Sequence, residues 1–228
     1  MKKFILAVFV ILLISCSGQQ RILFRPDPGY NDVIQNNFIS IEDIAETKDG
    51  PGNANIPGWL SAFLRGGINA VEEIYIYRNR YCFIGVSEGG NFNALNKWAE
   101  NYSVIHDFPR MAAVRIERRL ISAATLYPDD EYGNFFEIMV KKAFDTEFSD
   151  AYLEDSFWIK KNAELDESPD EMNKTEDTYN FYVFISVSKT VITTVIENMI
   201  TETLAVAAPT RAQNSAIRRL QQNFFLEF

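Results

Sequence analysis

The chain is expected to fold as an α+β domain, a small, largely antiparallel sheet with helices packed on one face. Three observations predict this. Residues Tyr179 to Ser188 alternate, with Phe181, Val183, Ile185 and Val187 on one side and Tyr182 and Phe184 on the other, as in a strand covered on both faces. Other stretches repeat their apolar residues at helical intervals instead. Their order is strand, helices, strands, helix, which segregates the helices rather than alternating them with strands.

The elements follow in chain order. Residues 17–37 read as a tether, broken by Arg25-Pro26-Asp27-Pro28-Gly29. Phe38 to Ile44 fits a short strand or one helical turn. A second break spans Lys48 to Gly58. From there Trp59, Leu60, Phe63 and Leu64 share a helical face, and Gly66-Gly67 is expected to end that helix. Ile68 to Tyr77 fits either period. Arg78-Asn79-Arg80 reads as a turn before a strand from Tyr81 to Val86, rich in aromatic and branched residues. Ser87-Glu88-Gly89-Gly90 reads as a loop, and Asn91 as the cap of a helix carrying Ala94, Leu95, Trp98, Ala99 and Tyr102. Asp107 reads as a second cap, with Pro109 in the first turn of a helix reaching Leu126. Its buried stripe is expected to be Ala113, Ile116, Leu120 and Ala124.

A third helix is expected from about Glu131 to Phe148, using Phe136, Met139, Val140, Ala143 and Phe144. Phe157-Trp158-Ile159 is a short strand. Asp166 to Asp177 is acidic, contains Pro169 and reads as a solvated loop. Lys189 to Val206 is rich in Thr and Val, yet Val191, Ile192, Val195, Ile196, Met199, Ile200 and Leu204 recur at helical spacing. Pattern outranks propensity here. A last amphipathic helix runs from Thr210 to Phe225, with Ala216, Ile217, Leu220 and Phe224 apolar.

The first residues bear on location. Lys2 and Lys3 precede an unbroken apolar stretch from Phe4 to Ile14. That stretch is too short to span a bilayer, which takes roughly 20 residues. A basic start, a short apolar core and a small-residue exit have the shape of an export signal. The exit, Leu13-Ile14-Ser15-Cys16, resembles the lipobox of bacterial lipoproteins, with Cys16 at the first mature position. That resemblance implies acyl chains on Cys16, and two or more chains anchor stably where one does not. Ser17 is not the Asp that often retains such proteins at the inner membrane, so the outer membrane is the expected site.

Removing residues 1–15 takes away Lys2 and Lys3 and no acid, so the net charge goes from −9 to −11. An acidic chain argues against nucleic acid as a partner, because phosphates need neutralising. It also argues against electrostatic docking on anionic lipid. With 47% hydrophobic and 14% aromatic residues, the chain has material for a full core. The expected organisation is signal 1–15, tether and irregular segment 16–56, α+β domain 57–208 and C-terminal helix 209–228.

Few residues suggest catalysis. With Cys16 lipidated, Cys82 is the only thiol left, and it lies in the apolar run Tyr81-Cys82-Phe83-Ile84, where a small buried hydrophobe is expected. His106 is the one histidine, so neither a nucleophile–histidine pair nor a zinc site has a second member in sight. Asp129, Asp130 and Glu131 form one acidic cluster, and Asp166, Glu167, Asp170 and Glu171 another. Neither has the spacing of an EF-hand loop. Gly85-Val86-Ser87-Glu88-Gly89-Gly90 lacks the Lys of a phosphate loop and the third Gly of a dinucleotide loop. No cofactor or metal is expected. The dense basic patch is Arg110, Arg115, Arg118 and Arg119. It is read either as a solvated helix face pairing with the acidic loops or as a docking surface for an anionic envelope polymer or acidic partner.

Five segments resemble the LPP-twenty family of bacterial surface and envelope lipoproteins. Pro57-Gly58-Trp59 is similar to its opening Pro-x-Trp, and Tyr81-Cys82-Phe83-Ile84-Gly85 to its first strand. Ala112-Ala113-Val114-Arg115-Ile116 is similar to its Ala-rich helix. Asp155-Ser156-Phe157-Trp158-Ile159 and Tyr179 to Lys189 are similar to its paired strands and final helix. Residues from about Asn91 to His106 are an insertion relative to that pattern. The resemblance covers residues 57–199 and implies an α+β fold, an envelope location and no catalytic residues. The expected role is non-enzymatic, with contacts to an envelope protein or to another copy of the chain. Two alternatives remain open. One is a small-ligand pocket lined by Trp98, Trp158 and Tyr182, and the other is a hydrolase built on two converging carboxylates.

Overall fold

The computed structural model describes residues 41–52, 55–161, 177–225 and 228. The expected export signal, Cys16, the expected tether and most of the acidic segment, within 162–176, lie outside the described residues.

The architecture is α+β, as expected. Strands β1 (Ile44–Thr47), β2 (Gly50–Pro51), β3 (Arg80–Gly89), β4 (Tyr152–Lys161) and β5 (Thr178–Ser188) form one sheet in the order β2-β1-β4-β5-β3. Every neighbouring pair is antiparallel. The helices are α1 (Gly58–Glu72), α2 (Phe92–Glu100), α3 (Phe108–Thr125), α4 (Phe135–Phe144), α5 (Lys189–Ala207) and α6 (Arg211–Phe224).

Strand β5 is internal, paired to β3 on one side and β4 on the other, and Asn180 to Val187 are all buried. Its alternation therefore serves two cores. On one face Ile185 and Val187 join Tyr81 and Phe83 beneath α3, α4, α5 and α6. Phe181 and Val183 continue that face beneath α2. On the other face Tyr182 and Phe184 join Cys82, Ile84, Phe157 and Ile159 beneath α1. Burying each such aromatic or branched side chain contributes about 1.5–3 kcal/mol. Five helices share one face, as expected. The addition is α1 on the opposite face, fixed where the Trp59 indole N–H donates to Asp155 Oδ2 at 2.9 Å and its ring stacks on Phe184 at 4.9 Å.

Several boundaries differ from the sequence reading, each for a physical reason. Gly66-Gly67 does not end α1. Gly67 sits at φ 68°, which needs no Cβ, and the chain kinks there and then resumes helix to Glu72. The expected loop Ser87–Gly90 is mostly strand, because Ser87, Glu88 and Gly89 pair with Phe181, Asn180 and Tyr179. Pairing along β5 likewise lengthens β4 to ten residues, with a register shift between Leu153 and Asp155. The third helix is shorter than expected, Phe135–Phe144. On α3 the stripe is Ala113, Ile116, Leu120 and Ala123, with Ala124 only half-buried. Asp107 holds the cap position of α3 without a capping bond. Its Oδ2 instead accepts from the Ser103 N–H at 2.8 Å. Asn91 does cap α2, accepting from Ala94 N–H at 3.1 Å, and Thr210 forms a capping box with Gln213 on α6.

Candidate functional site

The basic patch of α3 is pulled apart by the fold. Arg115, Arg118 and Arg119 recur at helical spacing, so they share the face of α3 that looks along the free edge of β3. Arg110 is exposed and takes no part in that wall. Each of the other three has a different environment.

Arg115 is a clasp. Its Nη1 pairs with Glu72 Oε1 at 2.9 Å, both side chains being mostly buried, and donates to the Cys82 carbonyl at 3.1 Å. Its Nη2 donates to the Phe228 main-chain oxygen at 2.5 Å. The guanidinium also lies within 4.9–5.1 Å of the ring centres of Tyr81, Phe83 and Phe228. Glu72 accepts in turn from the Cys82 N–H at 2.9 Å. One ion pair therefore satisfies both outward groups of Cys82 on the edge strand, which leaves them unavailable to another chain. Arg119 is buried. Its Nε donates to the Phe224 carbonyl at 2.8 Å and its Nη2 to the Asn223 carbonyl, so it holds the last turn of α6. Arg118 is exposed at the mouth between them.

Behind this wall lies a cavity of about 370 Å³. Phe63, Ile68 and Asn69 of α1, Ile84 of β3, Ser122 of α3 and Phe228 complete its lining. The floor is apolar and buried, with Ile84 only 1% exposed and Phe228 only 6%. Cys82 also faces it. Burial, reinforced by the Glu72 charge, pushes that thiol up to about 12. It is a neutral hydrophobe here, as the sequence reading expected, and not a thiolate nucleophile.

The other residues weighed in the sequence do not converge on this cleft. His106 is exposed, and its main-chain N–H donates to the Ser103 carbonyl at 3.2 Å. Asp130 pairs with Arg219 at 2.6 Å, and Glu131 accepts from Gln213 at 3.2 Å, so that acidic cluster ties the start of the α4 region to α6. Among the described residues no group of three or more His, Cys, Asp or Glu is placed to hold a metal ion. Trp98, Trp158 and Tyr182 do not line a common space. Tyr182 faces α1 on one side of the sheet, while Trp158 and Trp98, the latter from α2 itself, pack on the other. There Phe92 meets Trp158, Tyr179 and Phe181 at 5.1, 5.2 and 5.3 Å, and the rings occupy the seam themselves.

Compared with family models, curated proteins and solved structures, the chain matches none. The LPP-twenty resemblance thus stands on the sequence segments alone. The structure gives two of them a shared contact, because Trp59 of the Pro57-Gly58-Trp59 segment is the partner of Asp155. Sequence reasoning missed Glu72, Asn69, Ser122 and Phe228. The helical spacing of Arg115, Arg118 and Ser122 was visible. Glu72 lay in a segment whose period was ambiguous, and nothing local pointed from Phe228 to Arg115.

Proposed function

We propose that this chain is a lipid-tethered, non-enzymatic binding module of a bacterial envelope, related to the LPP-twenty family, whose contact point is the arginine-walled cleft. The lipobox-like Leu13-Ile14-Ser15-Cys16 supports the tether. The observation that carries the binding role is that the cleft is spanned by directional bonds rather than filled. Arg115 and Arg119 are fixed by main-chain oxygens and Glu72, so the wall stands without a side chain occupying the space beside it. A partly open cleft with an apolar floor and a few convergent polar groups is a common form of a binding site.

Two measurements test this reading together. The wild-type chain should remain with membranes on carbonate washing, and a Cys16→Ser chain should be released. A photo-crosslinker at position 118 should give a product in intact envelopes that is absent when the probe is at the exposed Val206 and lost on Ser122→Trp, which fills the cleft from its rim. Retention of Cys16→Ser on membranes, or the same products from both probe positions, would overturn the reading.

A further inference from the structure

The register of β3 turns unpaired main-chain groups toward the cleft. In an antiparallel pair, opposed residues alternate between those that exchange both main-chain bonds and those whose groups point away from the partner. Cys82 is of the second kind, because its N–H donates to Glu72 and its carbonyl accepts from Arg115. The register against β5 runs without a shift from Arg80 to Gly89. Ile84, Val86 and Glu88 therefore also turn their N–H and C=O groups away from β5. Among the described residues these outward groups meet no hydrogen-bond partner. Ile84 lines the cleft and is 1% exposed, so bulk water does not serve its pair. A buried main-chain group without a partner is rare and costs about as much as a lost hydrogen bond.

Val86 is half-buried and Glu88 exposed, so the open stretch of edge begins at the surface and ends in the cleft. The clasp at Cys82 closes its inner end. The other side of the sheet is capped where β1 stops covering β4. There the Ser156 N–H donates to Asp155 Oδ1 at 2.8 Å, and its carbonyl accepts from Lys48 Nζ at 2.8 Å. A second copy does not fit the β3 edge through its own β3. An antiparallel pair centred on Val86 would set Glu88 of one copy against Ile84 of the other, a charge at the apolar inner end.

Resting on the reading of the cleft as the contact point, we propose that its occupant is an extended, uncharged peptide segment of a partner protein, added as a strand beside Ile84–Glu88. The outward pairs on alternate residues recur about every 6.8 Å, a spacing that a peptide strand matches and a small amide does not. Side chains of an added strand alternate between faces. On one face they meet Phe63 and Ile68, and on the other Phe228, so the inner residues of the peptide are apolar. At roughly 30 Å³ per non-hydrogen atom, the cavity holds about a dozen atoms. One or two residues therefore enter it, and the rest lie along Val86 and Glu88. Arg115 and Arg119 hold the wall and are not themselves the contact.

The probe is the capped pentapeptide Ac-Thr-Val-Leu-Val-Thr-NH2, added to the isotope-labelled Cys16→Ser chain. The Ile84 and Val86 amide resonances should shift saturably, with a Kd on the order of a millimolar or below. Their exchange with solvent deuterium should slow by about tenfold or more at saturation. Two further peptides carry N-methyl groups, one on the Leu nitrogen and the other on both Val nitrogens. One of them should bind at least about tenfold more weakly and the other nearly unchanged, because only alternate N–H groups of an added strand face β3. Val86→Pro removes an outward donor and no bond to β5, so it should lose the peptide while the remaining amide spectrum is kept. If that chain unfolds, the methylated pair still decides the matter on the unaltered edge. Equal binding of the two methylated peptides, or a concentration-dependent dimer that protects Ile84 and Val86 without peptide, would overturn the inference. No shift at Ile84 and Val86 while the position-118 crosslink persists would overturn this inference alone. Loss of both would remove the binding-module reading with it.

Discussion

Two seams lie along the same strand, three residues apart, and they are built in opposite ways. At Gly85 of β3 the sheet meets α2 by contact of rings and backbone. A Cβ placed there would come within 2.7 Å of Val183 Cγ2, with Trp98 and Tyr102 next in reach at 3.7 and 3.6 Å. The absence of a side chain admits the neighbours, and they close the space. At Cys82 the sheet meets α1 and α3 through the Glu72–Arg115 clasp, and a cavity persists beside it. Aromatic rings are attracted without a preferred end point and slide together until they touch. A guanidinium held by several oxygens is fixed at hydrogen-bond length from each, so its backbone cannot collapse further. Space survives where the wall is made of hydrogen bonds.

The largest effect expected from this contrast is at the clasp. Arg115→Met keeps much of the side-chain volume but leaves Glu72 buried without its partner and two main-chain oxygens without their donor. Stability should fall by about 3–5 kcal/mol, read as a lowered urea midpoint. Adding Glu72→Gln should recover part of the loss, and a double variant no better than the single one would show that charge is not what the clasp contributes.

Gly85→Ala tests the filled seam. The added methyl has no room against Val183, so a loss of about 1–3 kcal/mol is expected. A neutral outcome would mean that this seam has slack and that the contrast with the cleft is overstated. Thr210→Ala should cost about 1 kcal/mol, because it removes only the capping box that starts α6, the helix whose far end Arg119 holds. It serves as the scale for a purely local loss.

Around neutral pH the Cys82 thiol gives stability no pH dependence, but at high pH it does. Its thiol ionises near 9 when unfolded and at about 12 in place. The folded pKa is raised, so this contribution is whole below about pH 9 and is lost as pH climbs from 9 towards 12. Burial also raises Tyr81 and Tyr182, which leave a residual slope above pH 10. Cys82→Ala should therefore lose less of its urea midpoint between pH 8 and pH 10.5 than the wild-type chain does. An identical drop in both chains would place the thiol in contact with water.

Much of the fold was legible because long periodic runs carry their own evidence. The strand at Tyr179–Ser188 and the helices at 189–207 and 211–224 follow from spacing alone. The errors fall where a distant partner decides. Ser87–Gly89 has loop composition, yet the length of β5 draws it into the sheet. Gly66-Gly67 has the composition of a helix end, yet the chain resumes helix beyond Gly67 and buries Val71. The site was legible in one part only. The arginines of α3 stand out in an acidic chain, but what each one holds depends on Glu72, Asn223, Phe224 and Phe228, which are remote in sequence and carry no local pattern. Of the aromatics expected to line a pocket, Trp98 and Trp158 instead fill the seam beside Gly85, and Tyr182 packs on the other face of the sheet under α1.

The contrast between the seams is tested most directly by diffraction from crystals of the domain under xenon pressure, since xenon enters apolar cavities that side chains leave empty. Density should appear in the cleft between Phe63, Ile84 and Phe228, and none between Trp98, Phe92 and Phe181. A cleft closed by side chains with no xenon in it, or xenon at the α2 seam, would contradict the account.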